Sequence, residues 1–263
     1  MTSHPPPDRE RPSFRDHFST VAAGYAASRP RYPEALFEWL ASLAPRHELA
    51  WDAGTGSGQA ATGLAGRFGR VIATDASAEQ IAAAMPHERI EYRVAPAERS
   101  GLGTASADLA TAAQALHWFD IPAYTAEATR VLRAGGVLAV WTYALPVLGD
   151  AALDAELARL HARIRGWWPP ERQLVETGYR TVPFPFPEIA APAFDMTVEW
   201  DVERFLGYLR TWSAVIRCRE STGIDPVADA PALSAAWGRP GEVRTVRWPL
   251  SLRAGRVQRT APP

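Results

Sequence analysis

The spacing of apolar positions changes period repeatedly along this chain, and each change marks an element. After Pro33, whose fixed φ suits a helix start, "EALFEWLASL" places apolar residues at helical spacing. "HELAWDA" then reads as a short buried strand, and "GQAATGLAGRF" as a helix of small residues. "RVIATDAS" is a second strand ending in Asp75. Ser77 and Gln80 have capping-box spacing, which predicts a helix to about Met85. "RIEYRVA" is a third strand. "ADLATAAQA" is a fourth, and its small residues imply burial on both faces. Asp120 caps a helix, "IPAYTAEATRVLR", that stops at Gly135, and "GGVLAVWTY" is a fifth strand. Alternation at this rhythm predicts an α/β fold with a parallel, doubly wound sheet and right-handed crossovers.

The rhythm changes after Pro146. Asp150 opens a long helix to about Gly166, and the Pro- and aromatic-rich stretch from "GWWPPERQ" to "PFPFPEIAAP" reads as irregular. "AFDMTVEW" is a strand, Asp201 caps one continuous helix "VERFLGYLRTWSAVIR", and Asp225-Pro226 opens a last short helix. "EVRTVRWPLSL" alternates and is the closing strand. No internal repeat interrupts this order. It predicts a tail over residues 1–12 and one domain over 13–256. Within that domain, 13–45 form a lid and first helix, 46–145 a ligand-binding core, 146–240 a cover, and 241–256 the closing strand.

Composition narrows the function. Of 263 residues, 47% are hydrophobic and 22% charged, with a net charge of −1. That is a globular balance, with no basic excess to attract nucleic acid. No apolar run approaches a membrane span, and "MTSHPPPDRERP" lacks the apolar core of a signal peptide. Its Pro-rich, charged character predicts disorder. Cys218 is the single cysteine, which excludes an intrachain disulfide and a cysteine-built zinc site. A cytoplasmic setting and no metal are expected. All 28 basic residues are Arg. Without lysine, Schiff-base chemistry, a P-loop and a Tyr-Lys dehydrogenase pair are excluded.

"WDAGTGSGQAA" holds the candidate chemistry, with Gly54, Gly56 and Gly58 at alternate positions after a strand. Glycines at this spacing let a ligand approach bare backbone. Gly56, Gly58 and Ala61 satisfy the dinucleotide pattern G-x-G-x-x-[GA], which keeps a nicotinamide oxidoreductase in view. Asp52 at the strand end opposes a pyrophosphate but suits an ammonium, and no second α/β lobe is present for a substrate domain.

Asp52-x-Gly54-x-Gly56-x-Gly58 resembles the first motif of the class I S-adenosylmethionine-dependent methyltransferases. Four later segments are similar to that family in order: Asp75 after strand two, "APAERSGL", "AQALHWFD" and "RVLRAGGVLAVWTY". The opening "YAASRPRYP" is similar to the lid helix of the small-molecule branch. The resemblance implies a Rossmann-like sheet of seven strands, mostly parallel with one antiparallel strand, plus a helical cover. It implies S-adenosyl-L-methionine as cofactor and S-adenosyl-L-homocysteine as product. Asp52 would hold the ammonium, Asp75 both ribose hydroxyls, and Ala76 would let the adenine lie flat. Ala97 would offer a backbone N–H to the adenine, and Glu98, backbone or water would replace the acid the family often has at Pro96. Gln114, Tyr25 and Arg29 complete the implied cofactor set, with Arg29 toward the methionine carboxylate.

On the acceptor side, His117 is the only histidine at the carboxyl end of a central strand, where open α/β sheets place their sites. It is the candidate base or hydrogen-bond donor. Trp118 and Phe18 are candidate substrate walls. "WDVERFLGYLRTWSA" resembles the later region of the trans-aconitate and juvenile-hormone-acid methyltransferase group. That likeness implies a carboxylic acid acceptor, with Arg210 or Arg217, two turns apart on one helix face, as its clamp. Rival readings are a macromolecule methyltransferase and a cofactor-binding regulatory protein without turnover. The first lacks the Asn/Asp-Pro-Pro-aromatic segment that amino-methylating enzymes of nucleic acids commonly carry. The oligomeric state stays open.

Overall fold

A computed structural model describes residues 30–228 and 230–258. Helix α1 (Glu34–Leu43) leads into β1 (Leu49–Ala53), α2 (Gln59–Ala65), β2 (Arg70–Asp75), α3 (Ala78–Ala82) and β3 (Ile90–Val94). β4 (Ala107–Ala113), a 3-10 turn at Leu116–Trp118, α4 (Ile121–Val131) and β5 (Leu132–Thr142) follow. The cover holds α5 (Ala151–Arg163), α6 (Arg172–Glu176), β6 (Glu188–Ile189), β7 (Asp195–Trp200), α7 (Val202–Arg210), α8 (Ser213–Thr222) and α9 (Pro231–Trp237). β8 (Arg244–Pro249) and β9 (Ser251–Arg256) close the chain.

The main sheet has seven strands in the order β3-β2-β1-β4-β5-β9-β6. β1 through β5 are mutually parallel, and β9 runs antiparallel between β5 and β6. This is the expected Rossmann-like sheet. Strand order reverses between β1 and β4, so a crevice opens above the carboxyl ends of those two strands. The small residues of β4 are buried because β1 and β5 flank it and helices cover both faces. On one face Trp141 and Leu109 pack with Tyr32, Leu36 and the cover helices. On the other, Trp51 and Leu138 pack with Tyr124, Tyr179 and Val182. Among the described residues no helix is long and apolar enough to cross a membrane.

The structure corrects five boundaries. The closing strand divides at Leu250. β8 pairs with β7 in a separate two-stranded ribbon, and only β9 joins the main sheet. Pro249 pairs with Asp195, and the Leu250 N–H donates the last bond of this ribbon to the Phe194 carbonyl at 2.9 Å. The helix after Asp201 breaks at Thr211–Trp212 into α7 and α8. Trp212 adopts an extended backbone and buries its ring against Trp168 and Tyr208. The Thr211 hydroxyl donates to the Tyr208 carbonyl, which competes with continuation of the helix. Asp225 shapes a turn by accepting the Val227 N–H, and the last helix starts later, at Pro231. Helices α3 and α4 stop at Ala82 and Val131, short of the expected Met85 and Gly135.

Candidate active site

The glycine loop caps the crevice. Gly54, Gly56 and Gly58 have φ of +65°, +55° and +89°, where a side chain is strained. Two of them also face solid neighbours. A Cβ at Gly54 would lie 2.6 Å from Ala115 Cβ and 2.8 Å from the Phe119 ring, and one at Gly58 would lie 2.3 Å from the Tyr92 hydroxyl. Gly56 differs, because its Cβ position meets only the Gln80 amide oxygen, at 3.7 Å. The middle glycine therefore presents bare backbone to the crevice.

Asp75 borders that opening. One of its oxygens accepts the Gly56 N–H at 2.8 Å, and the other accepts the Ser77 N–H at 2.9 Å. These two bonds orient the Asp75 carboxylate at the edge of the loop. Ser77 Oγ caps α3 through the Gln80 N–H, as its spacing predicts. Ala76 is exposed beside the acid, and Ala97 is buried at the mouth of the β3 loop. This arrangement of open backbone, a strand-end acid and small residues fits a ribosyl cofactor with an amino-acid end.

Asp52 takes a different place from the one its spacing implied. Its side chain is 0% exposed. The Thr55 hydroxyl donates to Oδ2 at 2.6 Å and the Thr111 hydroxyl to Oδ1 at 2.7 Å. Burial pushes its pKa up to about 6, against the pull of those hydroxyls. Asp52 thus braces the loop from below, and direct contact with an ammonium is not available to it. Glu98 accepts the Asp120 N–H at 2.8 Å and ties the β3 loop to the start of α4. Gln114 is anchored across to β5. Its Nε2 donates to the Tyr143 carbonyl at 3.1 Å, while its Oε1 accepts the Tyr143 N–H at 3.0 Å and the Thr142 hydroxyl. Its amide bridges strands and is not presented to a cofactor. Phe18, Tyr25 and Arg29 lie outside the described residues.

His117 stands in the 3-10 turn after β4. Ala115 and Phe119, two residues to either side, pack directly on Gly54, so the turn that carries this histidine borders the glycine loop. Its Nδ1 lies 2.8 Å from the Tyr179 hydroxyl. Burial, with the Arg172 charge nearby, holds its pKa down at about 3, so the imidazole is neutral near pH 7. Burial raises the Tyr179 pKa, and its phenol is neutral too.

Residues 51–140 match the family described as "Methyltransferase domain". A protein of Dictyostelium discoideum named as a methyltransferase is 32% identical over 204 residues, covering 76% of this chain and 78% of its own length. A solved structure from Anaeromyxobacter dehalogenans, named as a type II methyltransferase, superposes with a TM-score of 0.83 at 52% identity. That match covers 88% of this chain and 99% of the other. Methyltransferase pgmE of Aspergillus terreus is 30% identical over 149 residues, which span 51% of this chain and 44% of pgmE. The chain belongs to the class I S-adenosylmethionine-dependent methyltransferases. The oxidoreductase reading falls with that assignment.

The rest of the methyltransferase site differs from its sequence reading on the acceptor side. Trp118 is 37% exposed, with its ring centre 4.7 Å from that of His117, so it is available as a wall. Arg210 and Arg217 lie on separate helices. Arg210 Nε pairs with Asp225 at 3.0 Å, and Arg217 reaches the Trp167 carbonyl at 3.4 Å. The helix face expected to carry both is therefore not formed, and Arg210 is engaged by Asp225. Sequence reading also missed Tyr179, Thr142 and Arg172. Arg172 lies over the Trp168 ring at 4.4 Å, and its charge acts on both His117 and Tyr179. Nothing local announces these residues, although Thr55 and Phe119 flank motifs already in view.

Proposed function

We propose that this methyltransferase transfers a methyl group from S-adenosyl-L-methionine to a small molecule whose nucleophilic atom bears a proton, such as a hydroxyl or phenol. The observation that carries this reading is His117, a neutral imidazole at the carboxyl end of β4, packed through its neighbours onto the glycine loop. Gly54–Gly58, Asp75, Ala76 and Ala97 would hold the cofactor. Bound there, it supplies an electrophilic methyl group and leaves as S-adenosyl-L-homocysteine. The protein's own task is to orient the acceptor, exclude water and accept the acceptor's proton. An alkylated oxygen is a far stronger acid than the parent hydroxyl, so a weakly basic imidazole suffices once the new bond forms. A carboxylate acceptor is already ionised and would leave His117 without this role.

The net charge of −1, with no basic excess to draw a polyanion, supports a small acceptor over nucleic acid. The test is label transfer from methyl-labelled cofactor into a cell extract fractionated by size. The expected result is a small product heavier by one methyl group. Its formation should fall by about 100-fold or more in His117→Gln, the usual scale of general-base loss, with cofactor affinity retained. Label recovered only in protein or nucleic acid, or full turnover in His117→Gln, overturns the proposal. Cofactor binding without transfer to any fraction favours the regulatory reading.

A further inference from the structure

One face of β9 is moulded to residues 178–188. Ser251, Arg253 and Gly255 are alternate residues of that strand, so their side-chain positions share a face. A Cβ at Gly178 would lie 2.7 Å from Ser251 Oγ. One at Gly255 would lie 2.8 Å from the Phe184 ring and 2.9 Å from the Pro187 carbonyl oxygen. Between these two contacts stands Arg253, largely buried. Its Nη1 donates to the Tyr179 and Val182 carbonyls, both at 2.6 Å. Its Nε and Nη2 donate to the two Glu188 carboxylate oxygens at 3.0 and 2.8 Å, and the guanidinium lies 4.7 Å from the centre of the Phe184 ring. A single planar fork thus holds the segment at Tyr179, Val182 and Glu188, which a lysine ammonium has no geometry to do.

The segment carries one side chain to the candidate active site. Gly178 and Tyr179 have φ of +60° and +59°, a conformation that a tyrosine keeps only where its surroundings fix it. The Tyr179 N–H donates to the Leu174 carbonyl at 2.9 Å, which ties it to α6 but not to the sheet. Its carbonyl turns to Arg253 on β9, while its buried phenol oxygen lies 2.8 Å from His117 Nδ1 in the turn after β4. β5 separates those two strands, with Val140 paired to Arg253. Tyr179 therefore bridges from β9 across β5 to the histidine. We infer that Arg253 is a positioning residue, whose fork sets the reach of the Tyr179 hydroxyl and, through it, the orientation of the His117 ring. The inference holds whichever of the two groups donates in the bond between Tyr179 and His117. Its consequence for turnover rests on the reading of His117 as proton acceptor, but the positioning itself does not.

Ring ¹⁵N spectra of the histidine-labelled full chain read the surroundings of His117 directly, and His117→Gln assigns the signal by its loss. Tyr179→Phe removes the hydroxyl and should displace that signal. Arg253→Met keeps the stem and removes the fork, and should displace the signal in the same direction. With the acceptor found by label transfer, kcat of Arg253→Met should fall by about 10- to 100-fold at unchanged cofactor affinity, the upper figure being the scale for a misplacement of about 1 Å. The double variant should match Tyr179→Phe alone, because the hydroxyl that Arg253 places is already gone. A role confined to stability would lower Tm, leave the His117 signal of Arg253→Met at its wild-type position and add its effect to that of Tyr179→Phe. That result overturns the inference. If Arg253→Met does not fold, Arg253→Lys decides, since it keeps the charge without the fork. Its His117 signal should move toward that of Tyr179→Phe, and a wild-type signal overturns the inference. A displaced signal beside wild-type turnover would retain the positioning and reject the proton-acceptor role of His117.

Discussion

The Gly56 N–H donates to Asp75 Oδ2 at 2.8 Å, joining the open glycine of the loop to the acid at the end of β2. One side chain thereby shapes the cradle, and the function proposed above also assigns it the ribose hydroxyls. Asp75→Ala removes both functions and should weaken S-adenosylmethionine binding by about 1.5–3 kcal/mol, the range for hydrogen bonds to a charged group. Calorimetry on the folded variant is the check. Unchanged affinity would take Asp75 out of the ribose site.

Two neighbouring glycines should respond differently to the same substitution. Both have positive φ, which costs about 1–2 kcal/mol for an alanine. At Gly56 the added methyl enters open crevice, so Gly56→Ala should lose cofactor affinity with only a modest fall in Tm. At Gly58 it meets the Tyr92 hydroxyl at 2.3 Å, so Gly58→Ala should lose more stability. Tyr92→Phe removes that hydroxyl and should restore part of the loss in the double variant. Thermal melts and cofactor titrations of the four proteins separate the two effects.

Asp52 predicts a pH dependence with a definite sign. Its folded pKa, raised to about 6 by burial, lies above its unfolded value of 3.8. The folded state therefore holds the proton more tightly between those values, and that stabilisation is lost as pH rises through about 6. Asp52→Asn has no such titration. The difference in Tm, variant minus wild type, should grow from pH 4 to pH 6 and then level off. A flat difference across that window would mean that Asp52 is charged throughout.

Arg172 and Arg210 are both partly covered cations of the cover region, yet only Arg172 acts on His117. Arg172→Met should raise the His117 pKa from about 3 toward the ordinary imidazole value, as read by ¹⁵N titration. Arg210→Met removes a half-exposed ion pair with Asp225. It should cost about 0–1 kcal/mol and leave the His117 titration unchanged. Equal effects of the two variants would dismiss the Arg172 assignment.

The glycine loop and the acid at the end of β2 are legible in the sequence. The period of apolar residues marks β1, β2 and β4, and alternating glycines after a strand mark a loop of positive φ. The spacing from that loop to Asp75 places the acid on the neighbouring strand. Each of these depends on backbone preferences within a few residues, or on adjacent parallel strands that a short crossover brings together. Caps at Asp120, Asp150 and Asp201 were legible for the same reason, since each side chain bonds within three residues of itself.

The acceptor side is decided by tertiary structure alone. His117 meets Tyr179 across 62 residues, and Asp52 meets Thr111 across 59. Which side chain faces which depends on strand order, on the register of β4 against β5, and on the path of the irregular segment that delivers Tyr179. No local period encodes these. The same holds for Arg210 and Arg217, whose common helix face disappeared because burying the Trp212 ring outweighed continuing one helix. Local sequence chose the elements and the glycine loop. The burial of side chains distant in sequence decided that Asp52 braces the loop, that Gln114 ties two strands, and which groups His117 meets.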